Sequence, residues 1–229
     1  MIKIKDILFE QESKPKAIVM AGSAGAGKTY LLNQLDINTL KNYNPDKYVE
    51  DKDHPYHNNL SAAAGQVLKD VEAASDRKES FIWDTTASNA DKVQMLLDKG
   101  YDVYMVMVYT HPMISFISNF NRAERKVPKV AVFITWKNVY KLIERYKEML
   151  GDNFSIFVND FSGKYDKEVK AFNAAAKKGS AGIEAYLETY MEKEGREKFR
   201  STFRRDFELG GEDKAEFDKL INQTDIPQD

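Results

Sequence analysis

The chain has 229 residues, with 34 lysines and arginines against 36 aspartates and glutamates, a formal charge of −2. Hydrophobic residues at 42% and aromatic residues at 12% exclude a disordered chain and suit one compact domain with an appendage, or two very small domains. The absence of cysteine excludes disulfides, thiolate metal sites and a thiol nucleophile; three histidines are too few for a zinc site built mainly from imidazoles; and the charge balance supplies no global pull toward nucleic acid. The longest apolar run, Val103 to Tyr109, is too short to cross a bilayer, and no apolar h-region opens the sequence. A soluble, cytoplasmic protein without a membrane partner is expected.

In chain order, Lys16 to Met20 is a short apolar run after Pro15 and predicts a buried strand. A glycine-rich turn, Gly22 to Gly27, leads into Lys28 to Leu35 with helical spacing. Residues 37 to 59, punctuated by Asn44-Pro45-Asp46 and His54-Pro55, read as loop or short helix rather than core. Leu60 to Arg77 predicts a helix, Phe81 to Asp84 a second strand, and Asn89 to Lys99 an amphipathic helix stopped by Gly100. Asp102 to Tyr109 is the strongest strand pattern. A helix from about Pro112, a basic stretch from Arg122 to Lys129, a long helix from about Ala131 to Leu150 and a short strand, Phe154 to Val158, complete the series.

Strands alternating with helices at this spacing predict βαβ units around a parallel sheet, with helices on both faces. From Lys164 onward no strand pattern recurs and charge dominates, with breaks at Gly179-Ser180, Gly182 and Gly210-Gly211. The predicted organisation is an α/β core over 1–160 and a helical C-terminal extension over 161–229.

Gly22-Ser23-Ala24-Gly25-Ala26-Gly27-Lys28-Thr29 fits G-x-x-x-x-G-K-[ST] throughout. Glycines allow the tight curl that turns successive N–H groups toward phosphate oxygens. Lys28 would reach the β- and γ-phosphates, the Thr29 hydroxyl would ligate Mg²⁺, and the following helix would aim its positive end at the same anion. A chance glycine turn fits poorly, because the motif follows a strand pattern and opens a helix. The reading is a phosphate-binding loop that takes a nucleotide's phosphates with Mg²⁺.

Three further groups could turn nucleotide binding into chemistry. Asp46 could accept the proton of an attacking hydroxyl, although Asn-Pro-Asp is also common turn chemistry, and the residues leave both readings open. Asp84, at a strand end, could hold Mg²⁺ or acceptor hydroxyls with Thr86 beside it; the competing role is a helix cap, which Ser88 or Asn89 could also fill. Arg122, Arg125, Lys126 and Lys129 could form a lid that neutralises charge on the transferred group, or simply a solvated helix end. Spacing alone makes Met105, Met107, Trp136 and Tyr140 core residues and His111 a turn residue. In the extension, Phe199, Phe203 and Phe207 recur every four residues among Arg196, Lys198, Arg200, Arg204 and Arg205. That pattern fits a helix docked on the core, or a contact with nucleic-acid phosphates.

The order of these features resembles the zeta-toxin-like branch of the P-loop kinases, whose relatives include polynucleotide kinases and enzymes that phosphorylate hydroxymethylated bases in phage DNA. The residues carrying the likeness are the phosphate loop, Asn44-Pro45-Asp46 with His54-Pro55, Phe81 to Thr86, Lys99-Gly100-Tyr101 and Asn121-Arg122 to Val127-Pro128. It spans roughly residues 15 to 160. The resemblance implies a kinase-type P-loop NTPase fold and an ATP- or GTP-dependent, Mg²⁺-dependent phosphotransferase acting on an alcohol. By it, Lys28 and Thr29 handle the donor and Asp46 is the acceptor-activating base. Asp84 and Thr86, standing where the family often has Glu-Gly-Thr, bind the acceptor, and Arg122 and Arg125 belong to the lid. The expected acceptor is a hydroxyl on DNA, RNA or a modified base, motivated by the arginine-rich extension, with a nucleotide sugar as the alternative. A nucleotide switch or assembly ATPase is the rival from another class.

Overall fold

The computed structural model describes residues 14–35, 37, 39–121, 127–206, 217, 218 and 221. Five strands form one parallel sheet: β1 (Lys16–Ala21), β2 (Lys41–Tyr43), β3 (Phe81–Asp84), β4 (Asp102–Tyr109) and β5 (Phe154–Val158), in the order β2-β3-β1-β4-β5. Every residue of β1 is buried, as expected for the central strand of a sheet covered on both faces.

Alternation along the strands gives each face its own core. Val19 pairs with Trp83 and Met105, and this side continues through Ala17, Ala21, Phe81 and Met107 into the larger core. Ile18, Met20, Ile82 and Val106 point the other way and are covered by Leu31 and Leu32 of α1 (Lys28–Gln34) together with Leu35, Ile37 and Leu40. The larger core is closed by α3 (Leu60–Asp76), α4 (Ala90–Asp98), α5 (Pro112–Phe120), α6 (Lys129–Tyr140) and α7 (Ile143–Leu150). Gly100, at φ 78°, ends the turn after α4 in the left-handed region that favours glycine.

Two segments depart from the sequence-based expectation. Residues 37 to 59, expected as loop or short helix, do contain a short helix, α2 (Pro45–Glu50), but also the edge strand β2, which is not expected. The long helix expected over 131–150 is two helices, parted at Lys141–Leu142, where Leu142 N–H bonds Val139 O in a tighter turn at 3.1 Å. The break lets α6 run Trp136 and Tyr140 under the sheet end while α7 turns Tyr146 back toward Ala87 O, 2.8 Å away.

The chain beyond β5 is helical among the described residues: α8 (Asp166–Ala176), α9 (Gly179–Glu188) and α10 (Lys193–Asp206). Gly182 does not break α9. Its missing side chain admits α8, since a Cβ there would lie 2.2 Å from Ala175 O. Phe172, Ile183, Leu187, Phe199 and Phe203 share one hydrophobic core with Phe133 and Trp136. Burying each large side chain of this kind contributes about 1.5–3 kcal/mol. Among the described residues no helix is long and apolar enough to cross a membrane.

His111 caps α5: Nδ1 accepts from Met113 N–H at 3.1 Å, so Nε2 carries the proton and donates to Asn173 Oδ1 of α8 at 2.9 Å. Burial pushes its pKa down from 6.5 to about 4, with the Asn173 hydrogen bond opposing. A depressed folded-state pKa means that neutral His111 contributes full stability above pH about 6.5, and that this is lost as pH falls toward 4. The loss over that window is about 3 kcal/mol. His111→Asn keeps a capping oxygen and removes the titration. Urea unfolding at stepped pH should therefore show a shallower acid decline in the variant; parallel curves would contradict this account.

Candidate active site

The site forms where β1 ends, at the centre of the sheet and beside both strands to which β1 is bonded. Met20 pairs with Asp84, so the last residue of β3 stands beside the start of the glycine loop. Two main-chain bonds hold the strand exits together: Thr85 N–H to Met20 O at 3.0 Å and Gly22 N–H to Thr86 O at 3.4 Å. Ligands of open parallel sheets sit at such strand ends.

The loop is tight enough that its glycines are sterically required. A Cβ on Gly22 would lie 2.6 Å from Val108 O, on Gly25 2.7 Å from Ser115 O, and on Gly27 2.4 Å from the Asn159 amide nitrogen. All three have φ between 82° and 139°. Ala24, Gly25, Gly27, Lys28 and Thr29 line a cavity of about 250 Å³. Gly22, Ser23 and Ala26 face inward as the loop's support. The fully buried Ser23 gives its N–H to Tyr140 Oη at 3.3 Å, and its hydroxyl lies 2.7 Å from Ser115 Oγ and 3.2 Å from Tyr140 Oη. Tyr140 in turn donates to Val108 O at 2.7 Å, and burial raises its pKa to about 12, so it remains a neutral donor. The Ala26 N–H is spent on Ser23 O, and Ala26 O accepts from Asn159 Nδ2 at 2.9 Å. Lys28 lies back over the loop, its ammonium donating to Gly22 O at 2.9 Å and Ser23 O at 3.3 Å.

The same cavity is lined by Asn44, Pro45, Asp46, Asp84, Thr85, Thr86, Leu60, Ala64, Val127 and Thr135. Asp46 is there because Asn44-Pro45-Asp46 is a helix start: Asn44 Oδ1 accepts from Asp46 N–H at 2.8 Å, and Pro45 takes the first helical position, where no N–H is needed. Turn chemistry and a position in the cavity thus coexist. Asp84 is only 5% exposed and accepts from Asn44 Nδ2 at 3.2 Å. It caps no helix, since Asn89 caps α4. Thr86 donates to Ser88 Oγ at 3.3 Å. A wider groove of about 710 Å³ between α1, β2 and α2 shares Thr29, Asn44 and Asp46 with the cavity. The Thr29 hydroxyl and the Asp84 carboxylate are hard oxygen donors in one cavity, a set that suits Mg²⁺, an ion that keeps several waters and uses few protein ligands. Among the described residues no cluster of three or more His, Asp or Glu could hold a metal by itself.

Arg122, Arg125 and Lys126 lie outside the described residues, and so does Phe207. On the far side of that segment Val127, which lines the cavity, is clamped by the buried Asn119: Nδ2 donates to Val127 O at 2.8 Å, and Oδ1 accepts from Val127 N–H at 3.0 Å. Asn119, Tyr140, Asn159 and Ser115 are absent from the sequence-based set. The one signal for Asn159 was its place directly after a parallel strand.

The extension's basic face is partly spent within the fold. Arg204 grips the buried Glu184 through Nε and Nη2 at 2.9 and 2.8 Å, and Arg200 binds Glu188 through Nε and Nη2. Arg196 Nε donates to Met191 O at 3.2 Å. With Phe199 and Phe203 buried beneath them, α10 is a docked helix.

The sequence model of the Zeta toxin family matches residues 2–152, about two thirds of the chain, and the chain belongs to that family. No curated protein matches it. Among solved structures, the AvrRxo1-ORF1:-ORF2 complex is 12% identical, with 96% of this chain and 82% of that chain covered at a TM-score of 0.51. The same pair with ATP is 12% identical, with 96% and 84% covered at 0.50. A structure from the PezAT chromosomal toxin–antitoxin system of Streptococcus pneumoniae is 19% identical, with 69% and 72% covered at 0.45. At such identities the likeness concerns the fold: a zeta-toxin-like P-loop kinase sheet with helices on both sides.

Gly25→Ala should abolish binding of a fluorescent ATP analogue, because a Cβ meets backbone on α5 and φ is 82°. Gly65→Ala, in the open interior of α3, should leave binding intact and stabilise the fold by about 1 kcal/mol. Equal binding by both variants would contradict the role given to the loop's curvature.

Proposed function

We propose that this zeta-toxin-family chain is a Mg²⁺-dependent phosphotransferase that moves the γ-phosphoryl group of ATP or GTP onto an alcohol. The observation that supports it most is a single cavity in which Lys28 and Thr29 of the phosphate loop face Asp46, Asp84 and Thr86. A nucleotide store needs the first pair; an acceptor hydroxyl needs the second set.

In this reading Gly22 to Thr29 cradle the triphosphate, with Ala24, Gly25 and Gly27 offering main-chain amides and Lys28 leaving its carbonyl contacts for the β- and γ-phosphates. Thr29 and Asp84 would hold Mg²⁺, which would supply positive charge to offset that of the phosphates. Asp46 accepts the acceptor's proton as the acceptor oxygen bonds to the γ-phosphorus and the bond to the β-phosphate oxygen breaks, releasing the nucleoside diphosphate. Asp84 and Thr86 orient the hydroxyl. Arg122 and Arg125 are assigned to charge neutralisation by the family likeness alone. Residues 1–160 carry the chemistry and 161–229 support it, acting in the cytoplasm.

The acceptor's body has room in the wider groove that shares Asp46 with the cavity. Because Arg200 and Arg204 are engaged by Glu188 and Glu184, the extension no longer favours nucleic acid over a nucleotide sugar, and both belong in the test. Incubation with γ-labelled ATP and DNA, hydroxymethylated DNA, RNA, nucleosides and nucleotide sugars should label one acceptor. Asp46→Ala keeps the N–H that Asn44 caps, so it should fold and bind nucleotide while transfer falls about 10²- to 10⁴-fold. A nucleotide switch predicts no labelled alcohol and a hydrolysis rate indifferent to Asp46→Ala.

A further inference from the structure

Asn44 makes two hydrogen bonds that constrain each other. Its Oδ1 accepts the Asp46 N–H at 2.8 Å, and its Nδ2 donates to Asp84 Oδ2 at 3.2 Å. Turning the carboxamide over would set its NH₂ against an N–H and its oxygen against a carboxylate, so only one orientation satisfies both ends. The capping bond therefore fixes the direction of the second donor. Pro45 stiffens the junction by fixing φ at the first helical position. The two residues so joined are far apart in sequence and carry the two carboxylates that line the phosphate-loop cavity.

We propose that Asn44 is a positioning residue: one carboxamide, locked by the start of α2, sets where Asp84 stands relative to Asp46. This rests on the phosphotransferase reading above. Helix capping alone would be served equally by serine or aspartate, whose side-chain oxygens accept the same N–H. Neither can also donate to Asp84 in this geometry. Among the good capping residues, only asparagine offers an acceptor and a donor on one rigid plane.

That difference supplies the test. Asn44→Ser and Asn44→Asp keep the cap. Asn44→Ser should fold and bind a fluorescent ATP analogue much as the wild type does, while Asn44→Asp, which sets a second carboxylate against Asp84, should melt lower. Their kcat for phosphoryl transfer, or for hydrolysis with water as acceptor, should nevertheless fall about ten- to a hundred-fold, with KM for ATP little altered. Asn44→Ala should lose the same rate and some stability as well. Wild-type kcat in Asn44→Ser would overturn the proposal, leaving Asn44 as a cap only. A second arm needs no turnover: in ¹H–¹⁵N spectra the Asn44 side-chain amide protons should shift in Asp84→Ala, and their indifference to that change would also overturn it. If the wild-type protein labels no alcohol, the phosphotransferase reading fails while the spectral arm still decides the Asn44–Asp84 link.

Discussion

A polypeptide can offer several amides to one phosphate group only if it curls more sharply than a side chain would allow, and it must then be kept curled. In this protein the three loop glycines remove the obstacle, since each would drive a Cβ into Val108 O, Ser115 O or the Asn159 amide. The hold comes from behind. Ser23 is gripped by Tyr140 and Ser115, Ala26 by Asn159, and Tyr140 is anchored to Val108 of the neighbouring strand. These are buried bonds in a low-dielectric setting, where a lost partner leaves an unsatisfied group at a cost of about 1–3 kcal/mol. The curvature is thus built in before any nucleotide arrives, which reduces the ordering cost of binding.

The remainder of the fold brings chemistry to that loop. Parallel pairing sets Asp84 one strand away from the loop's first residue, and Asn44 joins it to the start of α2, where Asp46 stands. Each element contributes one group through its end, and strand ends are where parallel sheets gather such groups. The helices beyond β5 add mass to the same core: Phe133 of α6 stacks on Phe172 and meets Phe203 edge-on, on the helix that also carries Tyr140.

How much of this was legible from the residues depended on whether the determining contacts were local. The strand, glycine loop and helix from Lys16 to Gln34 declare themselves through a buried run, a strict motif and helical spacing. The place of Asp84 at the end of β3 was legible because a strand end is a local feature. β2 was not: three residues, with only Tyr43 buried, give no period to read at a sheet edge. The division of the 131–150 helix was hidden as well, for no glycine or proline marks it and the turn answers to tertiary packing. Tyr140 and Asn159 reach the loop across 117 and 133 residues of sequence, and such pairings leave no trace in spacing. That Arg200 and Arg204 of α10 pair with Glu188 and Glu184 was equally hidden, because those partners lie on a separate helix.

The role proposed for the main chain of residues 24–29 is that of a preformed anion cradle. It is tested most directly by titrating ¹⁵N-labelled protein with a non-hydrolysable ATP analogue and Mg²⁺ while following single amides. The amides of Gly25, Gly27, Lys28 and Thr29 should move strongly and together. Those of Ser23 and Ala26, already bonded to Tyr140 and Ser23 O, should move little. Saturable binding that leaves the loop amides in place, or no binding at millimolar analogue, would contradict the account.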